Sequence, residues 1–350
     1  MTHGTMRTAM LHAWGDVRVE TETIPVAGPG EAVIRIEACG VCGSDALDWY
    51  VERKAPAVLG HEPAGTIVQV GEGVTDFAIG DRVFVHHHAP CLSCEECRRA
   101  LWSNCAAWKS SRIFPGGFAQ YARIPALNLE RDTLRLPDHM DYDTATFIEP
   151  LACCIRAVKR YGAVQPGDSV LIVGLGAMGL LMTQLAALYG AGLIAGSDFV
   201  PERREFAARM GAALLIDPAS VDPLEDLRAR TDGRGADVVI VCPGSAQALH
   251  DGIAAAAPGA RVVCFTPFPP GRPLSLDLHS LYFREIALLQ SYSCGPDETR
   301  EALNLLATER ITVKPLITHI DGLDGVAAAL QRAKSTADGL KTIIHPQRQD

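Results

Sequence analysis

Four cysteines, Cys91, Cys94, Cys97 and Cys105, stand in a C-x2-C-x2-C-x7-C cluster, and no other feature constrains the chain more. Four thiolates this close in sequence can close tetrahedrally on one zinc ion and leave no open position. The spacing therefore predicts a structural metal that staples the lobe 90–106. Free or disulfide-paired thiols are the alternative, and three cysteines separated by two residues each fit a shared metal better. A closed site of this kind carries no chemistry itself, but it directs attention to other metal ligands nearby.

Composition fits a water-soluble enzyme. The 350 residues, 48% of them hydrophobic, are enough for two domains of ordinary size. The net charge is -9, from 32 basic and 41 acidic side chains, and there is no long basic run. Nucleic acid and anionic membrane are accordingly excluded as expected partners. The N-terminus lacks a charged stretch followed by an apolar one, and the apolar runs elsewhere are interrupted by Gly, Gln or charge. Together with 11 cysteines, this favours a reducing, cytoplasmic setting in which thiols bind metal or pack in cores.

The texture changes along the chain. Up to about residue 150, short strand-like runs broken by glycine, at Glu31 to Ala38, Gly65 to Val70 and Asp81 to His86, predict a β-rich domain. From Asp168, strand and helix patterns alternate: Ser169 to Val173, Ala177 to Tyr189, Leu193 to Ser197, Pro201 to Met210, Asp237 to Cys242, Ala246 to Ala257 and Arg261 to Phe265. That alternation predicts an α/β fold with a doubly wound parallel sheet and helices on both faces. Beyond residue 290 the pattern predicts helices over Asp297 to Thr308 and Gly325 to Lys334, then a closing strand over Lys341 to His345.

The second domain opens with a glycine triplet, Gly174, Gly176 and Gly179, between a predicted strand and a predicted helix. A lone G-x-G-x-x-G is weak, but here the context is the one its mechanism needs. Gly174 makes a tight turn, Gly176 lets the backbone approach a pyrophosphate, and Gly179 packs helix on strand. Asp198 follows 19 residues after Gly179, where a carboxylate can accept hydrogen bonds from an adenosine ribose and repel a 2′-phosphate, which favours NAD over NADP. Arg203 can stack on adenine or, with Arg204, tolerate a phosphate.

The first domain supplies a second set of metal-ligand types. Cys42 lies in Gly40-Val-Cys-Gly-Ser-Asp45, His61 and Glu62 lie in Gly60-His-Glu-Pro-Ala-Gly65, and Glu149 lies in Ile148-Glu-Pro-Leu-Ala152. Each alone has a bland explanation, since cysteine is often a small buried hydrophobe and a lone histidine a satisfied core residue. Together they offer one thiolate, one imidazole and two carboxylates, enough for a zinc that keeps a position open. The run His86 to His88 is not read as a further metal site, because side chains alternate between faces at a strand end.

With these motifs in order from Met6 to Pro346, the chain resembles the zinc-containing medium-chain alcohol dehydrogenases, and among them the sorbitol and other polyol dehydrogenases and the threonine dehydrogenases. The resemblance implies a GroES-like catalytic domain over 1–151, a Rossmann NAD-binding domain over 152–290, and a segment 291–350 that returns to the first domain. It implies that Cys42 and His61 are catalytic zinc ligands, with Glu62 and Glu149 alternating as third or fourth ligand. Cys91, Cys94, Cys97 and Cys105 match the structural zinc lobe, which makes two zinc ions per chain. Gly174, Gly176, Met178, Gly179, Asp198 and Arg203 match the NAD site, and a homodimer or homotetramer is expected.

The chemistry this implies is oxidation of a secondary alcohol, with zinc as Lewis acid and NAD as hydride acceptor. Ser44, two residues past Cys42, is the expected first acceptor of the alcohol proton; its alternative is a turn residue bonding its own backbone. Three departures bear on substrate. Leu47 stands where those relatives usually carry a relay histidine, the segment from Cys42 to His61 is several residues shorter, and Ser293-Cys294 aligns with an Arg-Tyr pair of sorbitol dehydrogenases. The expected substrate is therefore a small-molecule polyol, sugar or cyclitol, aminocyclitols included, with sorbitol itself disfavoured. A threonine-type amino-alcohol dehydrogenase is the second reading, and a nucleotide-binding relative without turnover the third.

Overall fold

The strand Ala32–Gly40 is buried along almost its whole length because it has neighbours on both edges and a core on its apolar faces. The computed structural model that shows this describes residues 4–335 and 339–348. Two compact units divide the chain, one of Met1–Ala152 with Cys294–Asp350 and one of Cys153–Ser293.

In the first unit a seven-stranded sheet runs in the order Ile317–Asp321, Lys341–Ile344, Ala32–Gly40, Glu62–Val70, Arg82–Val85 and Thr133–Arg135, with Tyr121–Ile124 also paired to Ala32–Gly40. All its pairings are antiparallel except the first. Ile34, Ile36, Ile67, Val83, Val85, Phe118 and Ile124 fill the core beside it. The closing strand Lys341–Ile344 pairs with the end of Ala32–Gly40, setting Ile343 opposite Gly40, while Gly40 on its other side faces Glu62. Three chain segments far apart in sequence thus meet at one glycine.

A smaller sheet is built on the hairpin Thr5–Ala13 and Asp16–Thr23, which turns through Gly15 at φ 86°. A glycine suits that left-handed position at no steric cost.

In the second unit six strands run in the order Leu214–Ile216, Leu193–Ser197, Ser169–Val173, Ala236–Val241, Ala256–Cys264 and Ala287–Gln290, every pair parallel. The sheet is the doubly wound one the alternating pattern predicts. Chain order reverses between Ser169–Val173 and Ala236–Val241, and ligands of such sheets bind outside the carboxyl ends of the strands at that switch point. The strand expected from Arg261 begins earlier, at Ala256. Pro258 and Gly259 read as a break, but the structure absorbs them in a register shift against Ala236–Val241. Among the described residues no helix is long and apolar enough to cross a membrane.

Candidate active site and metal centres

The cysteine lobe has the geometry of a closed metal site. Cys91 and Cys97 Sγ are 3.9 Å apart, Cys94 and Cys97 3.4 Å, and Cys105 and Cys91 3.6 Å. Thiolates bound tetrahedrally at about 2.3 Å from zinc lie about 3.8 Å from one another, whereas a disulfide would bring two sulfurs to about 2 Å. Hydrogen bonds from the Ser93 hydroxyl and backbone N–H, with one from the Cys94 N–H, lower the Cys91 thiol to about 5. Against a backbone hydrogen bond from Cys97, burial and hydrogen bonding among the neighbouring thiols push Cys94 up to about 12, and burial raises Cys97, so these thiols share their protons unevenly. Trp102 and Trp108 pack beside the cluster and form with it a small core of their own.

The second ligand set gathers at the strand ends around Gly40. Cys42, His61 and Glu62 each offer a ligand atom within 4.8 Å of the others. Cys42 caps the short helical turn Gly43–Ala46, its sulfur accepting from the Ser44 N–H at 3.5 Å and the Ser44 hydroxyl at 3.4 Å. Nδ1 of His61 lies 3.3 Å from Oδ1 of the buried Asp45. A carboxylate in that place fixes the ring and turns its other nitrogen towards a metal. Burial disfavours a charged His61, yet Asp45 and Cys42 raise its basicity well above the ordinary range. These surroundings are built to hold a positive charge, and the donor set fits zinc.

Glu62 is fully buried and paired to Lys341, whose Nζ lies 2.8 Å from Oε1 and 2.5 Å from Oε2. Glu149, in the first turn of the helix Ile148–Ile155, is not in the tight cluster of Cys42, His61 and Glu62; its carboxylate lies within 4.8 Å of ligand atoms of His86 and His87. It is close enough for its charge to add to the burial that pushes the Glu62 carboxyl up, against the opposing pull of Lys341 and His61. The three histidines are not separated as strand alternation predicts, since His86 and His87 offer ring nitrogens within 4.8 Å of each other and of Glu149; His86 Nδ1 also bonds Oδ2 of the buried Asp132 at 2.6 Å, His88 bonds the Ser111 carbonyl, and His87 packs on His61 with ring centroids 4.9 Å apart.

In the second unit the glycine turn adopts the geometry a dinucleotide needs. Gly174 has φ 87°, and a Cβ on Gly179 would sit 2.0 Å from the Gly174 carbonyl oxygen, so neither tolerates a side chain. A Cβ on Gly176, by contrast, would meet nothing nearer than Nη1 of Arg203 at 4.0 Å, which leaves the cradle open beside the N-terminus of the helix Ala177–Leu188. Asp198 accepts from the N–H of Leu175 at 2.7 Å and of Val200 at 2.9 Å. Arg203 lies 3.8 Å from Asp198, and Arg204 is committed to the Asp198 carbonyl and to Asp217. Met178 is on the same helix, its carbonyl accepting from Cys154 at 3.7 Å.

Sequence reasoning gave no role to Asp45, Lys341 or His87. Asp45 stood inside the quoted Cys42 motif, and a carboxylate three residues from a ligand cysteine was the available signal. Lys341 lies 279 residues from its partner, and nothing local announces it.

Residues 28–138 match the alcohol dehydrogenase GroES-like domain and residues 177–308 the zinc-binding dehydrogenase domain. The chain is 30% identical to a sorbitol dehydrogenase of Bacillus subtilis (strain 168), over 99% of this chain and 100% of that one. It is 33% identical to an L-threonine 3-dehydrogenase of Pyrococcus abyssi, over 93% and 94%. A candidate zinc-binding dehydrogenase of Sinorhizobium meliloti 1021, solved with NADP bound, superposes with a TM-score of 0.88 at 30% identity, covering 98% of this chain and 100% of that one. The chain belongs to the zinc-containing medium-chain alcohol dehydrogenase superfamily.

Proposed function

We propose that the protein oxidises a secondary alcohol of a polyol, sugar or cyclitol, aminocyclitols included, with NAD as acceptor. The observation that carries this reading is the cluster of Cys42, His61 and Glu62 within 4.8 Å, with Asp45 behind His61. Cys42 and His61 are the metal-holding residues in it, and Glu62 and Glu149 the carboxylates available as further donors. When bound, zinc supplies the Lewis acidity that makes an alcohol hydroxyl acidic near neutral pH, and NAD supplies the hydride acceptor.

The chain's own residues do the rest. Asp45 orients His61. Ser44, whose hydroxyl now donates to the Cys42 sulfur, takes the alcohol proton and releases it towards solvent, because Leu47 can neither accept nor donate it. Gly176 leaves room for the pyrophosphate, and Asp198 holds the adenosine ribose. NAD is preferred in this reading even though the Sinorhizobium relative was solved with NADP, because Arg204, a phosphate-binding candidate, is already paired with Asp217, and the Asp198 carboxylate would repel a 2′-phosphate.

A screen of zinc-loaded protein for NADH formation over polyols, cyclitols and amino alcohols tests the reading. Turnover of polyols or cyclitols supports it. Turnover confined to threonine-like amino alcohols would favour the second reading, towards which the Pyrococcus relative points. NAD binding with no turnover of any alcohol would leave the non-catalytic one.

A further inference from the structure

The middle member of the run His86 to His88 differs from its neighbours. His86 engages Oδ2 of Asp132 through Nδ1 at 2.6 Å and turns Nε2 to the Cys294 sulfur at 3.7 Å. His88 engages the Ser111 carbonyl through Nδ1 and packs on Trp108, with ring centroids 4.2 Å apart. Nδ1 of His87 is buried too, yet it has no hydrogen-bond partner among the described residues. A buried polar atom left unpaired is destabilising, and native structures leave few of them without a use.

Packing alone does not call for that nitrogen. The His87 ring contacts His88, His61 and His86, with centroids 4.2, 4.9 and 5.2 Å away. A phenyl ring could make the same contacts and leave nothing unpaired. The nitrogen therefore points to a partner that arrives from outside, and the contact with His61 says where. An alcohol hydroxyl on a metal held by Cys42 and His61 lies beside His87, whose side chain is only half-buried and so keeps one side open to an incoming molecule. His87 is not a member of the ligand cluster of Cys42, His61 and Glu62. It stands one step outside, where the hydroxyl on the next carbon of a bound substrate can reach it. A hydroxyl suits the ring in either tautomer, donating to a bare nitrogen or accepting from a protonated one. A mono-alcohol has only the hydroxyl it places on the metal and leaves His87 unpaired.

We propose that His87 is a specificity-determining residue: it hydrogen-bonds the hydroxyl on the carbon next to the one oxidised, and so selects vicinal polyols over simple secondary alcohols. The proposal rests on the reading of Cys42 and His61 as ligands of a zinc that takes the reacting hydroxyl.

Two probes that differ by one hydroxyl test it, 1,2-cyclohexanediol as a mixture of its isomers and cyclohexanol. Zinc-loaded wild-type protein is expected to favour the diol in kcat/KM by about tenfold or more, the worth of a hydrogen bond that the mono-alcohol leaves unmade. His87→Phe is expected to abolish that preference, by losing diol turnover while cyclohexanol is oxidised as before. His87→Gln, which keeps a donor and an acceptor, is expected to retain part of it. The apparent affinity for the diol, measured by calorimetry, is expected to fall about tenfold in His87→Phe. The thermal midpoint of that variant should stay or rise, because the unpaired buried nitrogen is gone. A wild-type protein that oxidises cyclohexanol as well as the diol would overturn the proposal whether or not any variant folds. So would a diol preference that survives His87→Phe, or equal losses on both alcohols with a lowered midpoint, the mark of a packing residue. Failure of the underlying reading looks different: the zinc-loaded protein would then oxidise neither probe nor any other alcohol.

Discussion

Oδ2 of Asp198 accepts the backbone N–H of Leu175 at 2.7 Å, which ties the carboxylate to the middle of the glycine turn. The ribose-reading group and the phosphate-cradling backbone are thereby held as one unit. NAD should outperform NADP in kcat/KM. Asp198→Ala should lower kcat/KM for NAD by about tenfold or more, the worth of a hydrogen bond to a charged group, and narrow the gap to NADP. Steady-state kinetics with both cofactors checks this; a wild-type enzyme preferring NADP would assign control of the site to Arg203 or Arg204.

The four sulfurs of the cysteine lobe have spacings that match a shared zinc, and Cys97 is, with Cys105, one of the two members buried with Trp102 and Trp108. Cys97→Ser should cost more than about 4 kcal/mol, in the range reserved for loss of a metal or a core. Turnover per folded, metal-loaded active site should change far less. Thermal unfolding beside active-site titration separates the two effects. Unchanged stability would show that the lobe needs no metal.

Ser44 donates to the Cys42 sulfur at 3.4 Å in this state, and in turnover its hydroxyl is assigned to the proton path. Ser44→Ala should lower turnover about 10²-fold, as for removal of a general acid-base group. Leu47→His should be tolerated and should shift the pH profile if it completes a relay. The check is a pH-rate profile under conditions where a deuterated alcohol shows that hydride transfer limits the rate. A Ser44→Ala enzyme as fast as wild type across pH would make Ser44 a turn residue only.

Asp237 lies across from Ser169 at the N-terminal ends of two parallel strands. Its partial burial works against the charge, but the Ser169 hydroxyl at 2.6 Å and N–H at 2.9 Å hold its carboxyl below the usual carboxylate range. A carboxyl lowered on folding contributes stability above its unfolded value of about 3.9, and that contribution disappears as pH falls through the lower folded value. Asp237→Asn should therefore destabilise by about 1–2 kcal/mol at neutral pH. The difference from wild type should shrink in acid, below about pH 4. Denaturant titrations at several pH values measure it, and a pH-independent difference would contradict the assignment.

The second unit was the more legible one, because parallel βα units announce themselves locally. Ser169–Val173 is a continuous apolar run, a glycine turn follows, and a long helix follows that. Where the local signal misled, a physical reason is visible: Pro258 and Gly259 sit inside Ala256–Cys264 and look like a break, yet a register shift accommodates them. The hairpin Thr5–Ala13 and Asp16–Thr23 carries charged and hydroxyl side chains that weaken its apolar alternation. At the candidate site, residue types and motif spacing mark Cys42, His61 and Glu62 because those residues bring their own local context. The groups that orient them do not. Asp45 acts through a turn that only folding defines, and Lys341 reaches Glu62 through a strand pairing at the far end of the chain.

The most direct test of the account is one titration on wild-type protein that has never met chelator. Metal content is measured first, then NADH formation from a responsive polyol or cyclitol is followed as the more labile metal is stripped and zinc is added back. The account predicts two zinc ions per chain, activity that falls to background as one of them leaves while the fold persists, and recovery with one equivalent of zinc. Full activity after that ion is gone, or protein isolated with one zinc or none yet turning over, would contradict it.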